Sequence, residues 1–311
     1  MSTIKIATRE SYGNALVSIG EKYPEVVVLD ADLAAATKTN IFMKKYPQRH
    51  INVGIAESNM ISIAAGMATM GKIPFVSSFA MFVAGRAFEQ IRNGIGYSQL
   101  NVKICATHAG ITVGEDGASH QCNEDIALMR TIPGMVIINP SDDIEAKAAI
   151  EVAATYNGPM YLRFGRPPTK IINDNPNYTF TLGKGNIVRE GTDITIVATG
   201  LCVTNCLEVA ELLSQEGISA EVINIHTIKP MDTELLVNSA KKTKHIITVE
   251  EHSIIGGLGS AVSEVLSERF PTKINKIGMP DCFGQSANAD VLLKEYRLDT
   301  DGIYDTIKQL L

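Results

Sequence analysis

The stretch Ala106-Thr-His-Ala-Gly-Ile-Thr-Val-Gly-Glu-Asp-Gly-Ala-Ser-His-Gln121 gathers His108, Glu115, Asp116 and His120, with Gly110, Gly114 and Gly117 between them. It follows the apolar run Val102-Lys-Ile-Cys-Ala106, which reads as a buried strand. Glycine lets a backbone turn tightly or approach a ligand closely. In a parallel α/β sheet, ligands sit in the loops at the carboxyl ends of strands. Four ionisable groups on such a loop point to a site rather than to polar surface. Glu57 adds a second candidate, at the mouth of the apolar segment Asn59-Met-Ile-Ser-Ile-Ala-Ala-Gly-Met-Ala-Thr-Met70. Two readings fit it: a carboxylate placed on the helix dipole, or a partly buried acid tuned for proton transfer. Phe79 and Phe82, three apart, share one face of an incipient helix, where core packing is the ordinary role. Asp30 and Asp32 end a strand and could cap a loop or hold a metal or a ligand hydroxyl.

The elements that must position these groups alternate along the chain. Helix opens at Thr8-Arg-Glu-Ser11, and strands fall at Val26–Leu29, His50–Val53, Ile73–Ser77, Val102–Ala106, Met135–Asn139 and Pro159–Arg163. Helices are expected at 59–70, 123–130 and 141–156. The helix over 59–70 is so uniformly small and apolar that it should be buried all round. Such alternation is a doubly wound parallel α/β pattern. Phe164-Gly-Arg-Pro-Pro-Thr-Lys170 breaks it, and Asn173-Asp-Asn-Pro-Asn177 has turn chemistry. Alternation then resumes with strands at 194–198, 220–225, 245–249 and 273–277 and helices at 203–215, 232–242 and 258–269. The chain therefore divides into an α/β domain over 1–165, a linker over 166–182 and a second, smaller α/β domain over 183–311. Gly256-Gly-Leu-Gly-Ser-Ala-Val262 has valine where a dinucleotide loop needs its third glycine, so it reads as a tight helix entry.

The composition narrows the function classes. With 311 residues, 45% of them hydrophobic, the chain can bury sizeable cores. A net charge of -6 without a basic run argues against a nucleic-acid surface. The start Met-Ser-Thr-Ile-Lys-Ile-Ala-Thr-Arg9 has no apolar signal segment, and no stretch is long enough to span a bilayer, so a cytoplasmic location is expected. Five cysteines without C-x-x-C spacing fit a reducing compartment, and Cys202 and Cys206 read as small core residues.

Taken in order, Ala7-Thr-Arg9, Asp30-Ala-Asp-Leu33, Asn52-Val-Gly-Ile-Ala-Glu57, Ser78-Phe-Ala-Met-Phe82, Thr107-His108, Gly114-Glu-Asp-Gly-Ala-Ser-His-Gln121, Leu162-Arg163, His226-Thr-Ile-Lys-Pro230 and Phe283-Gly-Gln-Ser286 are similar to the carboxyl-terminal half of a transketolase. The resemblance covers essentially the whole chain and implies a thiamine-diphosphate pyrimidine-binding domain followed by the family's smaller carboxyl-terminal domain. It implies that Glu57 hydrogen-bonds the aminopyrimidine nitrogen and, as a protonated acid, favours the tautomer that takes the thiazolium proton. It casts Phe82, with Phe79 beside it, as the aromatic stacked on the pyrimidine, and Asp32 as a neighbour of the cofactor and of the dimer interface. Asp116 corresponds to the acid that reads a sugar hydroxyl, and His120 to a residue beside cofactor and donor. Arg9, His108 and Arg163 correspond to the cationic cluster that holds the sugar phosphate.

Two positions depart from the family pattern. Ala36 stands where a phosphate-holding serine is frequent, and Ala287 where glycine is usual. The Gly-Asp-Gly motif that binds diphosphate and Mg²⁺ in the family, with its following Asn, has no counterpart here. The resemblance thus implies the carboxyl-terminal subunit of a split transketolase, paired with an amino-terminal subunit that carries most of the Mg²⁺ and diphosphate contacts. A two-fold heterotetramer acting on sugar phosphates, pentose phosphates by default, is the expected assembly. The beta subunit of a 2-oxo-acid dehydrogenase decarboxylase component shares an Ile-Ala-Glu segment and also lacks the diphosphate motif. The Gly-Glu-Asp-Gly-Ala-Ser-His-Gln loop and the Arg9, His108 and Arg163 set count against it. A non-catalytic regulatory relative is disfavoured by the intact Glu57, Phe82, Asp116 and His120.

Overall fold

Side chains alternate across a strand, so an apolar run of consecutive residues is a strand covered on both faces. Val26 and Val28 of one strand pack with Tyr12, Leu16 and Ile150, whereas Val27 and Leu29 pack with Met60, Ile61 and Ala64 on the other face. The computed structural model, which describes residues 4–176 and 178–311, builds two α/β layers on this principle. The first three residues of the chain and Asn177, at the end of the turn-rich stretch, lie outside the described residues.

The first layer contains β1 (Lys5–Ala7), α1 (Thr8–Lys22), β2 (Val26–Asp30), the short helices α2 (Ala34–Thr37) and α3 (Thr39–Lys45), β3 (His50–Asn52), α4 (Glu57–Thr69) and β4 (Ile73–Phe79). After β4 come two π-helical turns, Met81–Arg86 and Ile91–Gly96, around α5 (Phe88–Gln90). Then follow β5 (Lys103–Thr107), α6 (Asp125–Arg130), β6 (Val136–Ile138), α7 (Asp143–Thr155) and β7 (Met160–Arg163). β8 (Pro168–Lys170) pairs antiparallel with β1, so the expected break after Phe164 is a short strand that returns to the start of the chain. α4 departs from the expected all-round burial. Met60, Ile61 and Ala64 are buried, but Asn59, Ser62 and Gly66 on its other side are exposed.

The second layer contains β9 (Asn186–Arg189), β10 (Ile194–Ala198), α8 (Cys202–Gln215), β11 (Ala220–Asn224), β12 (Thr227–Lys229), α9 (Thr233–Thr243), β13 (His245–Ser253), α10 (Leu258–Arg269), β14 (Lys273–Met279), α11 (Ala289–Glu295) and α12 (Thr300–Leu310). Its five-stranded sheet runs β14-β13-β10-β11-β9, parallel except for the β9 edge. Cys202 and Cys206 are buried in the core between this sheet, α8 and α12. Gly257 leads into α10, whose first N–H groups are taken by the buried Glu250 carboxylate at 2.6 Å (Leu258) and 2.8 Å (Gly259). This is the tight helix entry expected from the sequence.

The seven-stranded first sheet runs β12-β6-β7-β5-β4-β2-β3, and its first member comes from the second half of the chain. β12 pairs antiparallel with β6, which ties the two layers by backbone hydrogen bonds. Buried side chains complete the tie. Glu251 of β13 accepts the Thr112 N–H at 2.7 Å, and Arg163 donates to the Glu251 carbonyl at 2.9 Å. Gly110 has φ +77°, and a Cβ there would lie 2.3 Å from Glu251 Oε1, so only glycine lets this carboxylate in. No helix among the described residues is long and apolar enough to cross a membrane.

Candidate active site

Carboxyl ends of parallel strands carry the candidate groups, because the chain leaves the sheet there as loops or helix entries. β4 ends at Phe79, and the π-helical turn after it carries Phe82 and Arg86. A π turn holds one more residue than an α turn and is frequent at functional sites. β5 ends at Thr107, and His108 follows with φ 56°. α4 begins at Glu57, which is 1% exposed.

Two donors hold the Glu57 carboxylate. Ser78 Oγ donates to Oε1 at 3.0 Å, and Arg86 Nη1 donates to Oε2 at 2.7 Å. The Arg86 guanidinium carbon also lies 4.8 Å from the centre of the Phe82 ring. Phe82 stacks with Phe79 at 5.7 Å, and Phe79 stacks on His108 at 3.9 Å. His120 meets Phe82 edge-on at 5.2 Å, its Nδ1 3.0 Å from Ser119 Oγ. A ladder of rings therefore runs from Phe82 to His108, and Arg86 bridges its near end to the Glu57 carboxylate. Beside it opens an interlayer cleft of about 700 Å³, lined by Phe82, Arg86, Ser119, Gln121, Asp281 and Phe283 among others.

At the far end of the ladder the charge is positive. His108 Nε2 lies 3.2 Å from Arg9 Nη1, and Nδ1 lies 2.9 Å from Thr107 Oγ1. Burial, then the charges of Arg9, Arg166 and Lys38, push the His108 pKa down to about 3, so the ring is neutral. Arg9 also donates to the Ala36 carbonyl at 2.8 Å, while its buried Nε has no partner. Arg166 donates to the Val113 carbonyl and pairs with Glu115 at 3.0 Å. Arg9 and Arg166 line one hollow of about 260 Å³ with Thr112, whose Oγ1 is also buried without a partner. Clustered cations, a neutral imidazole and unmet polar atoms suit an anion.

Arg163 does not join this cluster, and that corrects the expectation from the sequence. It is buried, with Nε 2.9 Å from Asp125 Oδ2, and Tyr161 donates its hydroxyl to the same oxygen at 2.8 Å. Its guanidinium is spent on this pair and on the Glu251 carbonyl. Arg166 is the cation beside Arg9. The sequence reading assigned it to the linker, because Pro167 and Pro168 follow. Arg86 was also missed, although it lies four residues after Phe82, a spacing that puts two side chains on one helix face. Asp116 is exposed on the glycine loop. Asp32 is exposed beyond β2, where it accepts from Asn52 Nδ2 at 3.2 Å. Asp30, by contrast, is buried, accepts from the Leu33 N–H and faces His50 at 2.6 Å, so it secures the turn. Among the described residues, no three His, Cys, Asp or Glu side chains converge as a metal ion would require.

The fold and this cleft define a two-domain α/β chain whose ring ladder links a buried acid to a hollow lined by two arginines. Residues 4–170 match the family model of the transketolase pyrimidine binding domain, and residues 183–303 that of the transketolase C-terminal domain. A Methanocaldococcus jannaschii protein described as a transketolase C-terminal section is 52% identical over 99% of this chain and 98% of its own length. A 6-deoxy-6-sulfo-D-fructose transketolase subunit of Clostridium sp. is 43% identical over 93% of this chain and 90% of its own. A solved structure titled a split gene transketolase, inactive beta4 tetramer, superposes with a TM-score of 0.91 at 49% identity over 98% of both chains. The chain belongs to the transketolase family.

Proposed function

We propose that this chain is the carboxyl-terminal subunit of a split transketolase that moves a two-carbon ketol unit from a ketose phosphate to an aldose phosphate. The observation that carries the reading is the ring ladder, which sets a buried carboxylate and an aromatic face at one end and a cationic hollow at the other. The first end fits an aminopyrimidine: Glu57 can hold or release a proton at a ring nitrogen, and Phe82 offers a face to stack on, backed by Phe79. The second end fits the phosphate of a sugar, held by Arg9, His108 and Arg166, with Arg166 replacing Arg163 in that role. Within this reading Asp116 binds a sugar hydroxyl, His120 stands beside the reacting carbons and Asp32 lies near the cofactor and a second chain.

When bound, thiamine diphosphate supplies the nucleophilic carbon that the ketol chemistry needs. The diphosphate and Mg²⁺ fall to an amino-terminal partner subunit, and the pair assembles as a two-fold heterotetramer. The exposed side of α4 and the neighbouring Ile55, 77% exposed, suit burial in such an assembly. Residues 1–165 and 183–311 serve as the two domains, joined through 166–182. A relative is named for a sulfonated ketose, and Ala36 offers Arg9 a backbone carbonyl rather than a serine hydroxyl.

A substrate panel tests the reading. The complex of both subunits, with thiamine diphosphate and Mg²⁺, is offered xylulose 5-phosphate with ribose 5-phosphate, their unphosphorylated counterparts, and pyruvate. Ketol transfer that favours phosphorylated sugars supports it. Carbon dioxide from pyruvate, without ketol transfer, would assign the chain to the 2-oxo-acid dehydrogenase decarboxylases instead.

A further inference from the structure

Arg86 approaches Glu57 from the side of the cleft. Ser78 holds Oε1, while Arg86 holds Oε2 at 2.7 Å and places its guanidinium over the Phe82 ring at 4.8 Å. The Arg86 side chain is 50% exposed and the Glu57 side chain 1%. One planar cation thus makes two contacts at once, an N–H bond to a buried carboxylate oxygen and a flat face on an aromatic ring. These are the two contacts that an aminopyrimidine would make with the same groups. We infer that Arg86 is a displaceable stand-in for the cofactor's aminopyrimidine, seated in the lone subunit and expelled into the cleft when the cofactor binds. The inference rests on the cofactor reading above.

The physical reason for a stand-in is the cost of an unpaired buried carboxylate beside an aromatic face. A subunit that folds before it meets its partner must pair that charge, and a half-exposed arginine does so reversibly. Arg86 ends its π-helical turn and lines the large cleft, so its side chain has room to leave. Its hold is modest, because the Arg86 side chain is half-exposed and water screens both its contacts on that side.

The test is a calorimetric titration of thiamine diphosphate, with Mg²⁺ present, into the assembled two-subunit complex carrying wild type, Arg86→Ala or Arg86→Lys. Urea unfolding of the lone subunit is run in parallel. Removing the stand-in should tighten cofactor binding by about five-fold, while the lone Arg86→Ala subunit unfolds at lower urea than wild type. Arg86→Lys keeps the charge but loses the flat face, and should tighten binding by less. Binding that weakens or stays unchanged in both variants would overturn the stand-in and leave the cofactor reading intact. No binding by wild type or either variant would overturn the cofactor reading and the stand-in together.

Discussion

Arginine 163 offers a sharp test, because sequence similarity and geometry assign it opposite roles. Its side chain is 4% exposed and that of its partner Asp125 is 0% exposed. Asp125 Oδ1 is already buried without a partner, so Arg163→Ala would leave that carboxylate with only the Tyr161 hydroxyl. The Glu251 carbonyl would lose its donor at 2.9 Å as well. Stripping one partner from a buried ion pair costs about 3–5 kcal/mol, a large share of the roughly 5–15 kcal/mol that holds a typical protein folded. Urea unfolding at fixed subunit concentration reads this directly as a fall in the midpoint. The control is Arg166→Ala, whose pair with Glu115 is 38% and 59% exposed. Its loss should cost less than about 1 kcal/mol in stability. It should instead raise KM for a phosphorylated sugar by roughly one to two orders of magnitude, the worth of a charge-assisted hydrogen bond. An Arg163→Ala chain within about 1 kcal/mol of wild type and with the raised KM would refute this account of both arginines.

Three further outcomes follow from buried residues at the layer junction and in the site. Burial raises the Glu251 pKa from 4.5 to about 7, so the folded chain keeps a proton that the unfolded chain releases, and stability falls as pH rises through that window. Glu251→Gln should remove this share of the pH slope in urea midpoints, leaving that of Glu250, which is also raised to about 7; an unaltered slope would contradict it. His108 has the opposite sign: held neutral to about 3, it lets the unfolded chain gain a proton alone, so stability falls as pH drops from 6.5. Its NMR signal should therefore show no titration between about pH 5 and 8, and a midpoint near 6.5 would count against the cationic surroundings. Gly110→Ala meets both a glycine-only backbone and the Glu251 carboxylate, and should cost about 2–4 kcal/mol in urea unfolding; a neutral effect would rule out this packing of the layers.

The sheets were legible because both faces of each are covered, so β2, β6 and β10 read as largely apolar runs. Short edge pieces were not. β8, β9 and β12 owe their existence to partners far along the chain, which no local pattern records. The apolar composition of α4 reads as all-round burial, yet one side stays open. Composition alone does not say whether a covering surface belongs to the same chain. At the site, Glu57, His108 and His120 stood out by residue type, whereas Phe79 and Phe82 read as core until the family resemblance gave them a role; the structure stacks the rings together and links them to Glu57 through Arg86. Two arginines three residues apart, Arg163 and Arg166, could not be told apart by type. Their roles diverge because one ends a buried strand facing Asp125 and the other follows it into the open.

The central claim is that this chain supplies the acid and sugar-phosphate side of a transketolase site completed by another subunit. The direct measurement is glyceraldehyde 3-phosphate release from xylulose 5-phosphate and ribose 5-phosphate, by this chain alone, by the two-subunit complex, and by the complex carrying Glu57→Ala. The account predicts release by the wild-type complex only, with loss of about two or more orders of magnitude in the variant at unchanged assembly. Release by this chain alone, or full activity without the Glu57 carboxyl, would contradict it.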